Sequence, residues 1–426
     1  MSTPTTIRPT SAAADLSPRK ASLHGLDAVN FFLAGILAGF GPYVAVYLAD
    51  QKWTQERIGF VLSASALVGL LSQVPGGELL DTVRSKRAIV ALGVLVVALS
   101  AMIIEFQSSF PLVLIGLTLQ GMTGGILGPA IAAISLGVVG HSALPERLGR
   151  NQRFAATGSL AAAALMGLVG YAFSYRAIFL LVVALTLPLL VALARIHAAD
   201  IHFGRSCGAP HHHPPDLPAR AERASLWKSP GLVVLSACLF FFQFANASVL
   251  PLVGEALTYR GDSHSSLIVS ALIVLPQIIV AVIAPWVGRQ AKNWGRRPLL
   301  LVGLGALPIR ALLLMLITDP PLLLVIQLLD GVSGAVIGVL TALVIADLTT
   351  GTGRFNLSQG LVGTASGIGA SLSTAVFGLI AASFGRMIVF LSIASVALLA
   401  VLIAWLAMPE TRPLITHRSS ARAPVS

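Results

Sequence analysis

Two opposite charges, Arg310 and Asp330, stand inside otherwise apolar stretches of this 426-residue chain. Counted from the turn near Asp319, Asp330 lies 11 residues along one run and Arg310 nine residues back along the other. At ~1.5 Å per helical residue both sit roughly 14–16 Å deep. Equal depth on consecutive antiparallel helices predicts that the two meet. A charge inside a bilayer is costly and marks function or a paired structural need. Two chemistries fit. Arg310–Asp330 is a buried ion pair that lets both charges stay in lipid, or Asp330 loads a proton or touches substrate while Arg310 tunes its acidity. Gln327, one helical turn before Asp330, can share either role.

A second group of polar residues lies nearer the ends of the apolar runs. Arg147, Arg150 and Arg153 are spaced i, i+3, i+6 and line one helical face. Asp27 and Asn30 lie within the first two turns of the first run, near the cytoplasmic face. The stripe is either charge that fixes orientation or an inner gate, with Asp27 or Glu78 pairing to it when that side closes. Phe40, Tyr43, Gln120, Gln243, Asn246 and Gln277 could line a mostly apolar cavity with a few polar handles, which suits an amphipathic organic molecule better than a sugar. His211, His212 and His213 are adjacent, but no carboxylate or cysteine stands at ligand spacing, so they read as linker and no metal or other cofactor is expected. Cys207 and Cys238 are expected reduced.

The elements that carry these residues follow from composition. The chain is 56% hydrophobic and 11% charged, against ~25% charged in soluble proteins. That excludes a soluble enzyme, and a nucleic-acid partner too despite the net charge of +11. A crossing helix needs about 20 apolar residues. Twelve such runs are present: 25–48, 57–79, 87–106, 111–139, 153–173, 175–196, 231–256, 265–287, 298–318, 321–347, 356–383 and 387–408. Runs this long exclude a β-barrel, and backbone groups in lipid must bond internally, so the runs are helices. With both termini inside, the inward segments hold 22 of the 28 Lys and Arg and the outward ones five, which sets both ends in the cytoplasm. The expected architecture is an all-α membrane protein of twelve transmembrane helices.

The halves repeat. Gln120-Gly121-Met122-Thr123-Gly124 matches Asp330-Gly331-Val332-Ser333-Gly334 at an offset of 210, and Gly77 matches Gly288 at 211. The predicted organisation is an N-terminal tail (1–22), a six-helix bundle (23–197), a Pro- and charge-rich linker (198–229) with a short helix at 219–228, a second bundle (230–409) and a C-terminal tail (410–426). Parallel six-helix repeats place a substrate near the midplane, between the repeats.

Between the second and third runs lies Gly77-Glu78-Leu79-Leu80-Asp81-Thr82-Val83-Arg84-Ser85-Lys86-Arg87, and between the eighth and ninth Gly288-Arg289-Gln290-Ala291-Lys292-Asn293-Trp294-Gly295-Arg296-Arg297. Each resembles the loop motif of the major facilitator superfamily, glycine-x-x-x-aspartate followed by glycine-arginine. The first copy has Arg84-Ser85 in place of glycine-arginine, and the second has Lys292 at the aspartate position. The resemblance covers about 25–410. It implies that Asp81 is a gating latch on a facing helix N-terminus, with the start of the eleventh run near Phe355 and Asn356 as its partner, and that Arg84 and Arg296 belong to the gate. Drug–proton antiporters of this family carry an arginine where Leu117 stands and a Gly-Pro motif that residues 153–173 lack.

The expected function is secondary active transport of a small organic molecule by alternating access, as proton-linked export of a fairly apolar compound. Proton-coupled uptake of an organic anion and a non-transporting membrane sensor are the alternatives. The expected setting is a bacterial inner membrane, with lipid and protons as partners and a monomeric chain.

Overall fold

The computed structural model describes residues 18–106, 109–209, 229–258 and 265–412. His211 to His213, the expected helix at 219–228 and most of both tails lie outside the described residues.

The described chain is helical. In order it runs α1 (Lys20–Asp50), α2 (Gln55–Thr82), α3 (Lys86–Phe106), α4 (Phe110–Ala172), α5 (Tyr175–Ala194), a 3-10 turn (Ala198–Asp200), α6 (Phe203–Cys207), α7 (Pro230–Asn246), α8 (Val249–Thr258), α9 (Ser265–Asn293), α10 (Arg296–Leu316), α11 (Pro320–Leu348) and α12 (Phe355–Ala407). Among the described residues ten helices are long and apolar enough to cross a membrane, rather than the twelve separate runs expected. The difference lies in two long helices. α4 has 63 residues and α12 has 53, about 95 and 80 Å against a hydrocarbon core of roughly 30 Å. Each is kinked at one glycine with non-helical dihedrals, Gly140 (φ 70°, ψ 176°) and Gly385 (φ 78°, ψ −178°). A positive φ strains any residue with a Cβ, so glycine marks where the helix turns without a loop.

The run expected at 231–256 is broken in the opposite sense, into α7 and α8. Pro251 has no N–H to give the carbonyl of residue 247, so the ladder fails there. The amide freed at Ser248 donates to the buried Ser373 Oγ of α12 at 3.0 Å.

Buried apolar side chains fall into two clusters. One uses residues between Leu26 and Ile196; the other uses residues between Leu232 and Met408 and takes in five residues of α4, among them Leu144 and Leu148. The clusters meet along two seams at the end of the molecule that carries the basic loops, here called the basic end. At one seam α2 crosses α12 so closely that a Cβ on Gly77 would collide with Asn356 and Leu357 backbone, and one on Gly360 with that of Gln73. At the other, α9 crosses α4, with Gly288 against Pro145 and Gly149 against Ala284.

The first part of the expected linker is ordered against the helices, with Ser206 and Cys207 buried and Ala198, Ala199 and His202 exposed. Residues 198–209 fold onto the basic end: His202 N donates to Gly137 O at 3.2 Å, and Ser22 Oγ to Asp200 Oδ2 at 2.6 Å. Phe203, Ser206 and Cys207 supply an apolar face one turn long, enough to hold this segment against α2 and α4.

Candidate functional site

The deep pair comes first. Arg310 of α10 bonds Asp330 of α11 through Nη1, and the same nitrogen donates to Asn246 Oδ1 at 2.9 Å. The side chains differ in access: Arg310 is 2% exposed and Asp330 27%. Asp330 therefore stands in front, between open space and a guanidinium buried behind it. Arg310 Nε is buried with no hydrogen-bond partner, so the guanidinium holds unused donor capacity. Gln327 is buried one turn away. Asp330 owes its position to Gly331, which packs on α9 at Pro276; the repeat-related Gly121 packs on Ser65 of α2. Gln120, the counterpart of Asp330, sits equally half-buried, within 3.5 Å of Ser65 Oγ. The repeat thus presents a neutral amide in one half and a carboxylate in the other.

Of the remaining cavity candidates, Asn246 is joined to this pair. Tyr43, Gln243 and Gln277 are half-buried on α1, α7 and α9. Phe40 lies in α1, its side chain outside the described set.

At the α2–α12 seam Asp81 is buried and meets the first turn of α12. Its Oδ1 accepts from Asn356 N (3.1 Å) and Asn356 Nδ2 (2.8 Å), and its Oδ2 from Leu357 N (2.8 Å). The first amides of a helix have no intrahelical acceptor and carry partial positive charge, so a carboxylate is the natural plug. Residue pattern alone did not show how much else gathers here. Asn356 Nδ2 also donates to Ser206 O of α6 (3.1 Å), and Cys207 Sγ donates to Asp81 O (3.3 Å). Buried Lys86 points into the same knot, donating to Leu80 O, to Val83 O (2.9 Å) and to Cys207 Sγ (3.4 Å), with the Phe203 ring 4.6 Å away. Gly208 O accepts from Gly351 N at 2.7 Å, just before α12. Burial pushes the Cys207 thiol above its ordinary pKa, with Lys86 pulling the other way. Arg84, grouped with the gate on sequence, is exposed beside this knot.

Asp27 pairs with the arginine stripe. Arg147 Nη2 lies 2.5 Å from Asp27 Oδ1, and Arg150 Nη2 2.6 Å from Oδ2. Arg147 Nε continues to Asn151 Oδ1 (2.7 Å), whose Nδ2 donates to Ser135 Oγ (2.8 Å). Both helices, α1 and α4, lie in the first half. The expected pairing of Asp27 with the stripe is therefore made, within that half, while the basic end is closed. Arg153 is exposed.

Arg296 is buried at the start of α10, with Nε 2.8 Å from Asp347 Oδ2 on α11, a tie inside the second half. Its backbone N–H donates to Glu410 Oε1 at 2.8 Å. Asp347 also faces the first half, where His141 Nε2 stands 3.0 Å from its Oδ1.

Closed at the basic end, the described residues carry an ion pair at depth whose half-buried carboxylate can be offered to a solute. Among the described residues no group of three His, Cys, Asp or Glu side chains could hold a metal. The chain matches the family model of the Major Facilitator Superfamily over residues 26–307 and 232–425. It is 35% identical over 387 residues to an uncharacterized MFS-type transporter of Mycobacterium tuberculosis, covering 91% of this chain and 93% of that one. It is 34% identical over 122 residues to the class B tetracycline resistance protein of Escherichia coli, 28% of this chain and 29% of that one. Its fold is similar to the human organic anion transporter MFSD10 (TM-score 0.67, 16% identity, 90% and 98% of the two chains). It is also similar to the proton:xylose symporter XylE (TM-score 0.69, 15% identity, 92% and 97%). The chain is an integral membrane protein of the Major Facilitator Superfamily, a family of small-molecule transporters and not of enzymes.

Proposed function

We propose that this protein exports a small, fairly apolar organic molecule across a bacterial inner membrane in exchange for protons. In this reading α4 and α12 each cross twice, giving twelve crossings with both termini cytoplasmic. Residues 23–197 and 230–409 form two bundles that rock about a central site, and the chain works as a monomer. The basic end is then the cytoplasmic face, closed, with the site open outward.

The observation that carries the proton part is the order of Asp330 and Arg310. A carboxylate 27% exposed, in front of a guanidinium 2% exposed, can meet a proton from the cavity, while the cation behind it cannot leave. Protonating Asp330 breaks a desolvated pair and leaves Arg310 wanting an anion. The cavity then relaxes only by moving or by taking the proton away again, which is what coupling requires. Export is favoured by the likeness to a tetracycline resistance protein, over part of the chain.

A second reading rests on Arg310 Nε, buried without a partner. A substrate carboxylate could take that donor once Asp330 is protonated, which would make the protein a proton-coupled carrier of organic anions.

The test begins with a thermal-shift screen against drug and metabolite panels, followed by flux in vesicles of known orientation. Export predicts efflux driven by an inward proton gradient. An Asp330→Asn variant is expected to keep substrate exchange and lose gradient-driven accumulation. Flux indifferent to the gradient in the native protein would refute proton coupling. Ligand binding without counterflow would replace transport by sensing.

A further inference from the structure

The two seams at the basic end are related by the repeat. Adding 211 to Gly77 gives Gly288 and to Asp81 gives Lys292; the same 211 takes Pro145 to Asn356, Glu146 to Leu357 and Gly149 to Gly360. The contacts obey the same arithmetic. Gly77 lies against Asn356 and Leu357 of α12, and Gly288 lies against Pro145 and Gly149 of α4. Asp81 bonds Asn356, and Lys292 Nζ reaches Glu146 Oε1 at 2.8 Å. The lysine at the family's aspartate position is thus met by an acid at the position equivalent to Leu357, whose N–H Asp81 Oδ2 accepts.

The helix starts explain why the polarity is exchanged. α12 begins at Phe355, so the amides of Asn356 and Leu357 are unspent and attract a carboxylate. The break in α4 is at Gly140, so residues 146 and 147 already lie more than one turn into helix, where amides are committed to carbonyls four residues back. An aspartate at position 292 would find no free N–H there and would face Glu146 instead.

We propose that Lys292 and Glu146 form a second latch between the halves, the charge-inverted counterpart of Asp81 on α12, and that it is the weaker of the two. Asp81 is buried and takes three charge-assisted bonds. Lys292 and Glu146 are 39% and 55% exposed and make one. The α4–α9 seam then yields more readily than the α2–α12 seam when the basic end opens. This rests on the alternating-access reading above.

The test uses the full-length protein in detergent and native Cys207, buried at the closed end, as reporter. Maleimide labelling of Cys207 is followed by peptide mass spectrometry. Lys292→Glu and Glu146→Lys each place like charges together and are expected to raise the labelling rate roughly two- to five-fold, as for an exposed ion pair. The exchanged double variant, Lys292→Glu with Glu146→Lys, should return to the native rate. Because both positions are exposed, these variants are expected to fold, which elution from size exclusion verifies. If Asp81→Asn labels faster while both single reversals match the native protein, the second latch is overturned and alternating access stands. A double variant as fast as the singles would also overturn the pairing. Equal labelling in the native protein, Asp81→Asn and both reversals would overturn the alternating-access reading and the latch with it.

Discussion

Replacing Asp81 by Asn changes one oxygen to a nitrogen and puts a number on the main latch. The best-placed amide keeps its oxygen at Oδ1, where Asn356 N and Nδ2 converge, and turns its NH2 towards Leu357 N, previously bonded at 2.8 Å. One charge-assisted bond becomes a donor facing a donor, a net loss of about 1.5–3 kcal/mol. The lost charge at the α12 N-terminus adds about 0.3–1 kcal/mol. Together, about 2–4 kcal/mol corresponds to roughly thirty- to several-hundred-fold in the ratio of open to closed basic end, at 1.4 kcal/mol per factor of ten. Cys207 reads this ratio. In the closed form its thiol is buried and held protonated, donating to Asp81 O, and thiolate is the species that maleimide attacks. Labelling should therefore rise at least ten-fold in Asp81→Asn and fall back in any condition that recloses the end. A variant that elutes as a single folded species and labels at the native rate would show that the Asp81 bonds do not hold the halves together.

Two further predictions separate structural charge from gating charge. Arg147→Ala leaves Asp27 buried with a single arginine that is itself 50% exposed, and should cost about 3–5 kcal/mol, whereas Arg150→Ala should cost about 1 kcal/mol or less; thermal unfolding in detergent measures both. Neither should alter Cys207 labelling before unfolding begins, since the cluster lies within one half. Gly77→Ala adds a methyl that collides with Asn356 backbone and should speed labelling without touching a charge, while Gly124→Ala, where no atom lies within 4 Å, should leave it unchanged.

Hydropathy made the membrane class legible, because length and charge depletion are properties of single helices. The meeting of Arg310 with Asp330 was legible too, since depth can be counted along two consecutive helices from their shared turn. What escaped were features that depend on geometry between distant segments. Gly140 and Gly385 do not differ in type from the other glycines, so the continuity of α4 and α12 could not be read. The pairing of Asp27 with the arginine stripe is legible, but the burial of Arg147 beside an exposed Arg153 depends on how α1 crosses α4. Residues 198–209 are polar enough to suggest solvent, and only the fold brings Ser206 and Cys207 onto Asn356 and Asp81. Glu146 is legible in the repeat: the 211-residue offset that relates Gly77 to Gly288 makes it the counterpart of Leu357, hence the partner of Lys292.

The second half carries Asp330 on a stiff frame. α10 and α11 are tied at depth by Arg310–Asp330, between by Ser333 Oγ donating to Gly303 O (2.8 Å), and at the basic end by Arg296–Asp347 (2.8 Å). From Asp330 to Asp347 is 17 residues, about 25 Å of helix. Neutralising Asp330 loosens one tie and leaves two, so α10 and α11 do not part. Under the proposed proton coupling, a proton at Asp330 would act by moving the pair as one body. That body ends at Asp347, 3.0 Å from His141 of the first half. A small tilt about the deep pair is carried over those 25 Å to the seam where the halves meet. For this reason the charge at depth and the latches at the end can be coupled without any wire of side chains between them.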